Sequence, residues 1–214
     1  MVNLIATKEE WYDALIERQG KDLQEKFASA VVAVCGLGGL GSNIAIALAR
    51  AGVGKLSLID FDRVDITNLH RQQYNVNQIG RYKTKALAEN LGEIAPYTIL
   101  ETHTVRITED NATELLKDAT IICEAFDDAR EKAMLTNLVL EKMPKKYLVA
   151  ASGMAGLGSA NTIQTRKITD RFYLCGDEVS DVNEGMGLIS TRVMLCAAHQ
   201  AHTVLRILAE QYET

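Results

Sequence analysis

The apolar positions of this chain fall into short blocks separated by glycines and charged loops. Val31–Cys35, Lys55–Ile59, residues 119–125 and Tyr147–Ala151 are compact apolar runs of strand length, the pattern of strands buried on both faces of a parallel sheet. Residues 99–105 alternate well enough to form a further strand. Between these runs, residues 43–50, 84–94, 111–117 and Ala129–Lys142 read as helices. Ala51-Gly52-Val53-Gly54 ends the first of them. Thr108 is the expected N-cap of the third, with Glu109 and Asp110 in its first turn. The alternation predicts an α/β fold, a Rossmann-like open and mainly parallel sheet with helices on both faces. Residues 161–167 and 171–174 follow as two more strands and predict an antiparallel C-terminal extension. Residues 189–210 form one long final helix, capped by Ser190 or Thr191. Its stripe of Val193, Cys196, Ala197, Gln200, Ala201, Val204 and Leu208 is small enough for another helix to pack close. Ahead of the first strand, residues 8–27 read as charged helix interrupted at Gly20, with Trp11, Leu15 and Leu23 on one stripe. The division expected is a helical arm over 1–28 and the main unit over 29–214, a single domain overall.

Composition narrows the class without naming it. The 214 residues are 47% hydrophobic, enough for a proper core and too apolar for disorder. A net charge of −5 argues against nonspecific nucleic-acid binding. No apolar run approaches a membrane span, and MVNLIATKEEW does not read as a signal peptide, so a cytoplasmic protein without membrane contact is expected. The four cysteines, Cys35, Cys123, Cys175 and Cys196, form no C-x-x-C pair, and no structural zinc is expected. His199 and His202 lack a third ligand.

The chemistry starts where the first strand breaks. Gly36-Leu37-Gly38-Gly39-Leu40-Gly41 lies between strand and helix, the context in which G-x-G-x-x-G marks a nucleotide site. Gly36 permits the turn, Gly38 lets backbone N–H groups approach a phosphate, and Gly41 lets the helix pack on the strand. The helix N-terminus adds partial positive charge. The second strand ends in Asp60, placed to accept hydrogen bonds from a ribose. Asn68, Arg71 and Lys83 then follow in one polar segment. A pyrophosphate is largely satisfied by the glycine loop, whereas a triphosphate wants Arg, Lys and magnesium. That balance favours ATP over a nicotinamide dinucleotide, whose oxidoreductase chemistry would rest on the glycines and Asp60 alone.

Taken together, GLGGLGS, LIDFD, NLHRQ and the Gly-x-x-Lys of GRYK resemble the ThiF/MoeB/HesA family, relatives of the ubiquitin-activating enzymes. The resemblance runs from about Leu15 to the C-terminus. It implies adenylation of the C-terminal glycine of a small ubiquitin-like sulfur carrier ending in Gly-Gly. The expected carrier is of the ThiS type, in thiamine thiazole synthesis; activation of a molybdopterin-type carrier is the alternative. The resemblance gives Asp62, the second acid of DFD, a role in orienting the site or holding a cation, and makes Lys83 a point charge on the phosphates. It makes Asp127 the magnesium ligand, with Asp128 standing where the family usually has Asn. Asp127 is equally placed to cap helix Ala129–Lys142. It also implies a homodimer in which Arg18 reaches the partner's triphosphate, although an ordinary surface charge fits that position as well. Some relatives use a loop cysteine as acyl acceptor; Cys175 opens a polar loop expected to run to Gly187, but its acidic neighbours disfavour a thiolate. Ser152-Gly153-Met154-Ala155-Gly156-Leu157-Gly158, with no helix after it, suits the close approach of a bound peptide tail.

A triphosphate site predicts that ATP with magnesium raises the melting temperature while NAD does not, the stabilisation reaching about 2.7 kcal/mol at a hundredfold excess over Kd. Stabilisation by NAD or NADH, with none by ATP, would identify the oxidoreductase instead.

Overall fold

A computed structural model describes residues 6–182, 185 and 187–214. The first five residues, and 183, 184 and 186 of the polar loop expected to run to Gly187, lie outside the described residues. In chain order the elements are α1 (Lys8–Gln19), α2 (Lys21–Ser29), β1 (Val31–Cys35), α3 (Gly39–Arg50), β2 (Lys55–Ile59), α4 (Lys83–Ile94) and β3 (Ile99–His103). They continue with α5 (Ala112–Leu115), β4 (Ile121–Glu124), α6 (Ala129–Lys142), β5 (Tyr147–Ala151), β6 (Gln164–Thr169), β7 (Phe172–Gly176) and α7 (Ser190–Leu208).

The seven strands form one sheet in the order β3-β2-β1-β4-β5-β7-β6. All neighbouring pairs are parallel except β6 with β7, which is antiparallel. The expected Rossmann-like sheet and its antiparallel extension are therefore present. Strand order reverses between β1 and β4, and this switch point is where an open α/β sheet leaves a crevice at its carboxyl edge.

Alternation along β1 explains the two layers. Val32 and Val34 enter one core with α3, α4 and α7; Ala33 and Cys35 enter the other with α5 and α6. All four are fully buried, which is why this strand reads as an unbroken apolar run. Among the described residues no helix is long and apolar enough to cross a membrane.

Several boundaries differ from expectation for local reasons. The N-terminal stretch is interrupted at Gly20 as expected, with φ +88°, but its second helix runs on to Ser29. Helix α3 begins at Gly39, inside the glycine loop, so the loop itself supplies the first helical turn. Helix α5 spans only Ala112–Leu115, and Thr108 does not cap it: the side chain of Asn111 accepts from the Thr108 N–H. Neither Ser190 nor Thr191 caps α7, whose N-cap is Ile189 without a side-chain bond.

The stripe on α7 packs inside the chain, with Val193, Cys196, Ala197, Ala201 and Val204 in the same core as α3. Gln200 is a polar member of that stripe, fully buried. Its Nε2 donates to Glu124 O at 2.9 Å and Val149 O at 3.2 Å, tying the helix to the end of β4 and the middle of β5. Gln200→Ala should lower unfolding free energy by about 2–3 kcal/mol, since it opens a void and removes the donor from two carbonyls. Met194→Ala, on the exposed face, should change it by less than about 0.5 kcal/mol. Equal denaturant midpoints for the two variants would contradict this packing.

Candidate active site

A cleft of about 620 Å³ lies over the switch point, between the glycine loop, the loop after β2, the start of α6 and the segments after β5 and β7. Its architecture begins at Gly36, whose N–H donates to Ile59 O at 2.9 Å with φ +91°. At Gly41 any Cβ would collide with the Gly36 carbonyl oxygen, so helix and turn can meet only through glycine. Gly38 is the N-cap of α3 with no side-chain cap bond, and Gly38, Gly39 and Leu40 line the cleft. The first helical N–H groups are thus available to an anion.

Asp60 is buried at the end of β2. Oδ2 accepts from Leu37 N at 2.6 Å and Oδ1 from Asp62 N at 2.7 Å. Burial pushes its carboxyl pKa up, against the charge of Lys83 and these two N–H bonds. The expected ribose acid lines the cleft, and its first task is to hold the glycine loop and the DFD turn together.

The cations are placed by neighbours of opposite or complementary character. Lys83, the first residue of α4, is buried, and its Nζ donates to Asp62 Oδ2 at 2.9 Å. Asp62 therefore orients the lysine. Arg71 lines the cleft, and one of its guanidinium nitrogens donates to Asn68 Oδ1 at 3.0 Å while Nε is buried without a partner. Burial pulls the Arg71 pKa down, opposed by the charge of Asp127. Asn68 does not line the cleft; its contact is with Arg71, where direct contact with nucleotide was expected. Gly39 leaves space that the Arg71 alkyl chain fills.

At the start of α6 the capping expectation is corrected. Asp128 is the cap: its Oδ1 accepts from Arg130 N at 2.8 Å and Glu131 N at 3.0 Å, and these bonds lower its pKa. Asp127, one residue earlier, lines the cleft together with Asp128, and it is Asp128 that carries the cap bonds. Among the described residues no group of three His, Cys, Asp or Glu side chains could hold a metal. Magnesium needs no such group, because one or two carboxylates with substrate phosphates and water complete its shell. Asp127 fits that donor set.

Arg18 is exposed and does not line this cleft. Its neighbour Gln19 donates to Ala51 O, at the far end of α3. A helix of 12 residues spans ~18 Å. Arg18 is thus remote from the glycine loop of its own chain.

Cys175 is not a loop residue. It lies in β7, fully buried, and burial raises its pKa to about 11 despite hydrogen bonds with Thr165 and Thr203. Burial, more than the acidic neighbours, makes it inert. Gly153 is also reassigned: a side chain there would strike Asp177, so its openness serves a contact within the chain.

Several residues in or behind the cleft wall carry no sequence motif. Glu124 is buried at the end of β4, where it accepts from Phe126 N at 2.8 Å and from Lys132 Nζ at 2.9 and 3.0 Å. Burial raises its pKa, opposed by Lys132. This pair fixes the turn that presents Asp127. Arg106 stacks over the Phe61 ring at 4.1 Å and pairs with Glu131. An acid eight residues before a lysine, across a predicted strand-to-helix turn, was the available sign of the first pair.

Fold and cleft together define a Rossmann-like α/β protein in which a helix N-terminus, Arg71, Lys83 and Asp127 line one cleft at the switch point. The sequence model of the ThiF family matches residues 12–214, and the chain belongs to that family. Adenylyltransferase and sulfurtransferase MOCS3 of Caenorhabditis briggsae is 29% identical over 205 residues, covering 92% of this chain and 50% of that protein. A sulfur carrier protein adenylyltransferase of Thermus thermophilus is 34% identical over 115 residues, covering 53% of this chain and 42% of the relative. The chain spans half or less of the length of these curated relatives. In fold it is similar to E. coli tRNA N6-threonylcarbamoyladenosine dehydratase, TcdA, in a structure with ATP. There the TM-score is 0.85 at 22% identity, covering 97% of this chain and 98% of the other.

All four cysteines are free and buried. Ellman's reagent should therefore react slowly with native protein at neutral pH and release four equivalents on unfolding. A fast thiol that disappears in Cys175→Ala would contradict this placement.

Proposed function

We propose that the protein is an ATP-dependent adenylyltransferase acting on the C-terminal glycine carboxylate of a small ubiquitin-like sulfur carrier of the ThiS type, in thiamine thiazole synthesis. The observation that carries the reading is one cleft uniting a helix N-terminus, Arg71, Lys83 and an aspartate not spent on capping. The activities for which the two curated relatives are named support it. The likeness to TcdA carries the fold alone.

In this reading the phosphates lie against the N–H groups at the start of α3, with the ribose toward Asp60. The carrier carboxylate is already ionised at neutral pH, so attack on the α-phosphorus needs no general base. A carboxyl O–P bond forms, the α–β phosphoanhydride bond breaks, and pyrophosphate leaves. Arg71, held by Asn68, and Lys83, held by Asp62, stabilise charge developing on the phosphates. Asp127 is the residue that would hold magnesium, which when bound withdraws charge from the leaving pyrophosphate. A homodimer in the cytoplasm, each site completed by the partner's Arg18, is part of the proposal.

Exchange of labelled pyrophosphate into ATP should depend on a Gly-Gly carrier, and Arg71→Ala or Asp127→Ala should slow it about 10²–10³-fold. Exchange stimulated by tRNA and not by any carrier would point to a TcdA-like substrate. For the dimer, inactive Arg18→Ala and Asp127→Ala proteins are mixed and allowed to exchange subunits. Each mixed dimer would hold one intact site, so activity should return to about a quarter of wild type. No recovery after confirmed exchange would remove Arg18 from the site.

A further inference from the structure

The buried ion pair between α7 and the segment after β7 has no place in the chemistry above. Arg192 and Asp177 have side chains only 5% and 5% exposed and pair at 2.5 Å. One terminal nitrogen of Arg192 donates to Gly158 O at 2.7 Å and Ser159 O at 2.8 Å. The other donates to Thr162 Oγ1 at 3.0 Å and to Asp177 Oδ2. Asp177 Oδ1 accepts from Val179 N at 3.0 Å, Ser180 N at 2.9 Å and Ser180 Oγ at 3.0 Å. Ser180 Oγ in turn accepts from Ala155 N at 2.9 Å. The pair therefore binds two loops to each other and to the first turn of α7: residues 152–162 and residues 177–182.

Those loops form one wall of the cleft. Ser152 to Ala155 line it from the first loop and Ser180 to Val182 from the second. The nucleotide half lies elsewhere, over β1, β2 and β3, at the glycine loop, Asp60 and Lys83. In the sheet order β5 and β7, which these loops follow, are two and three strands from β1, or ~10 and ~14 Å at a spacing of ~4.8 Å. That wall stands away from the glycine loop, although Val193 of the α7 first turn approaches it at Gly39, and it borders the space left for an acceptor. Leu157 and Val179, on the same loops, are apolar and strongly exposed at 65% and 80%.

A buried ion pair adds little net stability over an apolar filler of equal volume, because desolvation offsets its attraction. What it adds here is direction, since four Arg192 bonds and four acceptor contacts of Asp177 fix both loops. Although burial works against it, the N–H groups of Ser180 and Val179 and the Arg192 guanidinium hold the Asp177 pKa at about 2. Asp177 is therefore a carboxylate at neutral pH.

We infer that the Arg192–Asp177 pair positions the acceptor wall of the cleft, setting how the carrier's C-terminal tail reaches the α-phosphate while leaving nucleotide binding to the other half. This rests on the adenylyltransferase reading. Both are positioning residues; neither touches reacting atoms.

The test compares wild type with Arg192→Met, Asp177→Asn and Arg192→Lys, using ATP–Mg binding and carrier-dependent pyrophosphate exchange with a ThiS-type carrier. If the first two fail to fold, Arg192→Lys carries the test, because it keeps the charge with one nitrogen where Arg192 uses two to reach four acceptors. The expected result is a KM for carrier raised about tenfold or more, with kcat and the Kd for ATP–Mg within about twofold of wild type. Weakened ATP binding in step with the carrier KM, or no change in either, would overturn the inference. If wild type binds ATP–Mg but exchanges no pyrophosphate with any carrier, the functional reading fails separately. The clasp is then judged by hydrogen exchange in Arg192→Lys. Protection should fall in residues 153–162 and 177–182 and persist in 36–41 and 60–83; loss in both halves, or in neither, overturns it.

Discussion

The cleft depends on one carboxylate, that of Asp60. Its two oxygens accept from Leu37 N and Asp62 N, joining the glycine loop after β1 to the turn after β2. The loop is held from its other side by Tyr74, whose hydroxyl donates to Leu37 O at 2.7 Å. Asp62, placed by Asp60, then holds Lys83. Burying a charge is costly, and burial still raises the Asp60 pKa, but two N–H donors and a nearby ammonium offset part of that cost. Loss of the carboxylate would leave buried donors unpaired and free the glycine loop from the DFD turn.

The same logic recurs around the cleft. Lys83 is matched by Asp62, Lys132 by Glu124 and Arg106 by Glu131, while Arg71 rests on the neutral oxygen of Asn68. Such pairing fixes side chains before any ligand arrives. Preorganised charge is the form of transition-state stabilisation that needs no rearrangement during reaction. Both Asp127 and Asp128 line the cleft, and Asp128 takes the helix cap.

Much of this was legible because the chain obeys local rules. β1 and β5 are apolar on both faces, and the limits expected for β1, β2, β5 and α6 match those observed. The sheet's switch point follows from its strand–helix alternation. Legibility failed where contacts are distant in sequence. Gln200 looks like a flaw in an apolar stripe until the carbonyls of Glu124 and Val149 are seen beneath it. Asp177 and Arg192 lie fifteen residues apart and share no motif, and only the folded chain shows that they pair. Cys175 reads as a loop thiol because Gly176-Asp177 follows it, whereas β7 continues through Gly176 and buries the sulfur. Adjacent acids at 127 and 128 offer the helix two caps, and backbone geometry decides between them.

The proposed reaction is attack by a carboxylate on the α-phosphorus over the glycine loop, with Arg71 and Lys83 on the phosphates. The most direct measurement follows an oxygen atom. A ThiS-type carrier bearing ¹⁸O in its C-terminal carboxylate is incubated with ATP–Mg and the protein, and the activated acyl group is trapped with hydroxylamine. Attack on the α-phosphorus leaves one ¹⁸O in AMP and none in pyrophosphate. Label in inorganic phosphate with formation of ADP, or AMP released without label, would contradict it.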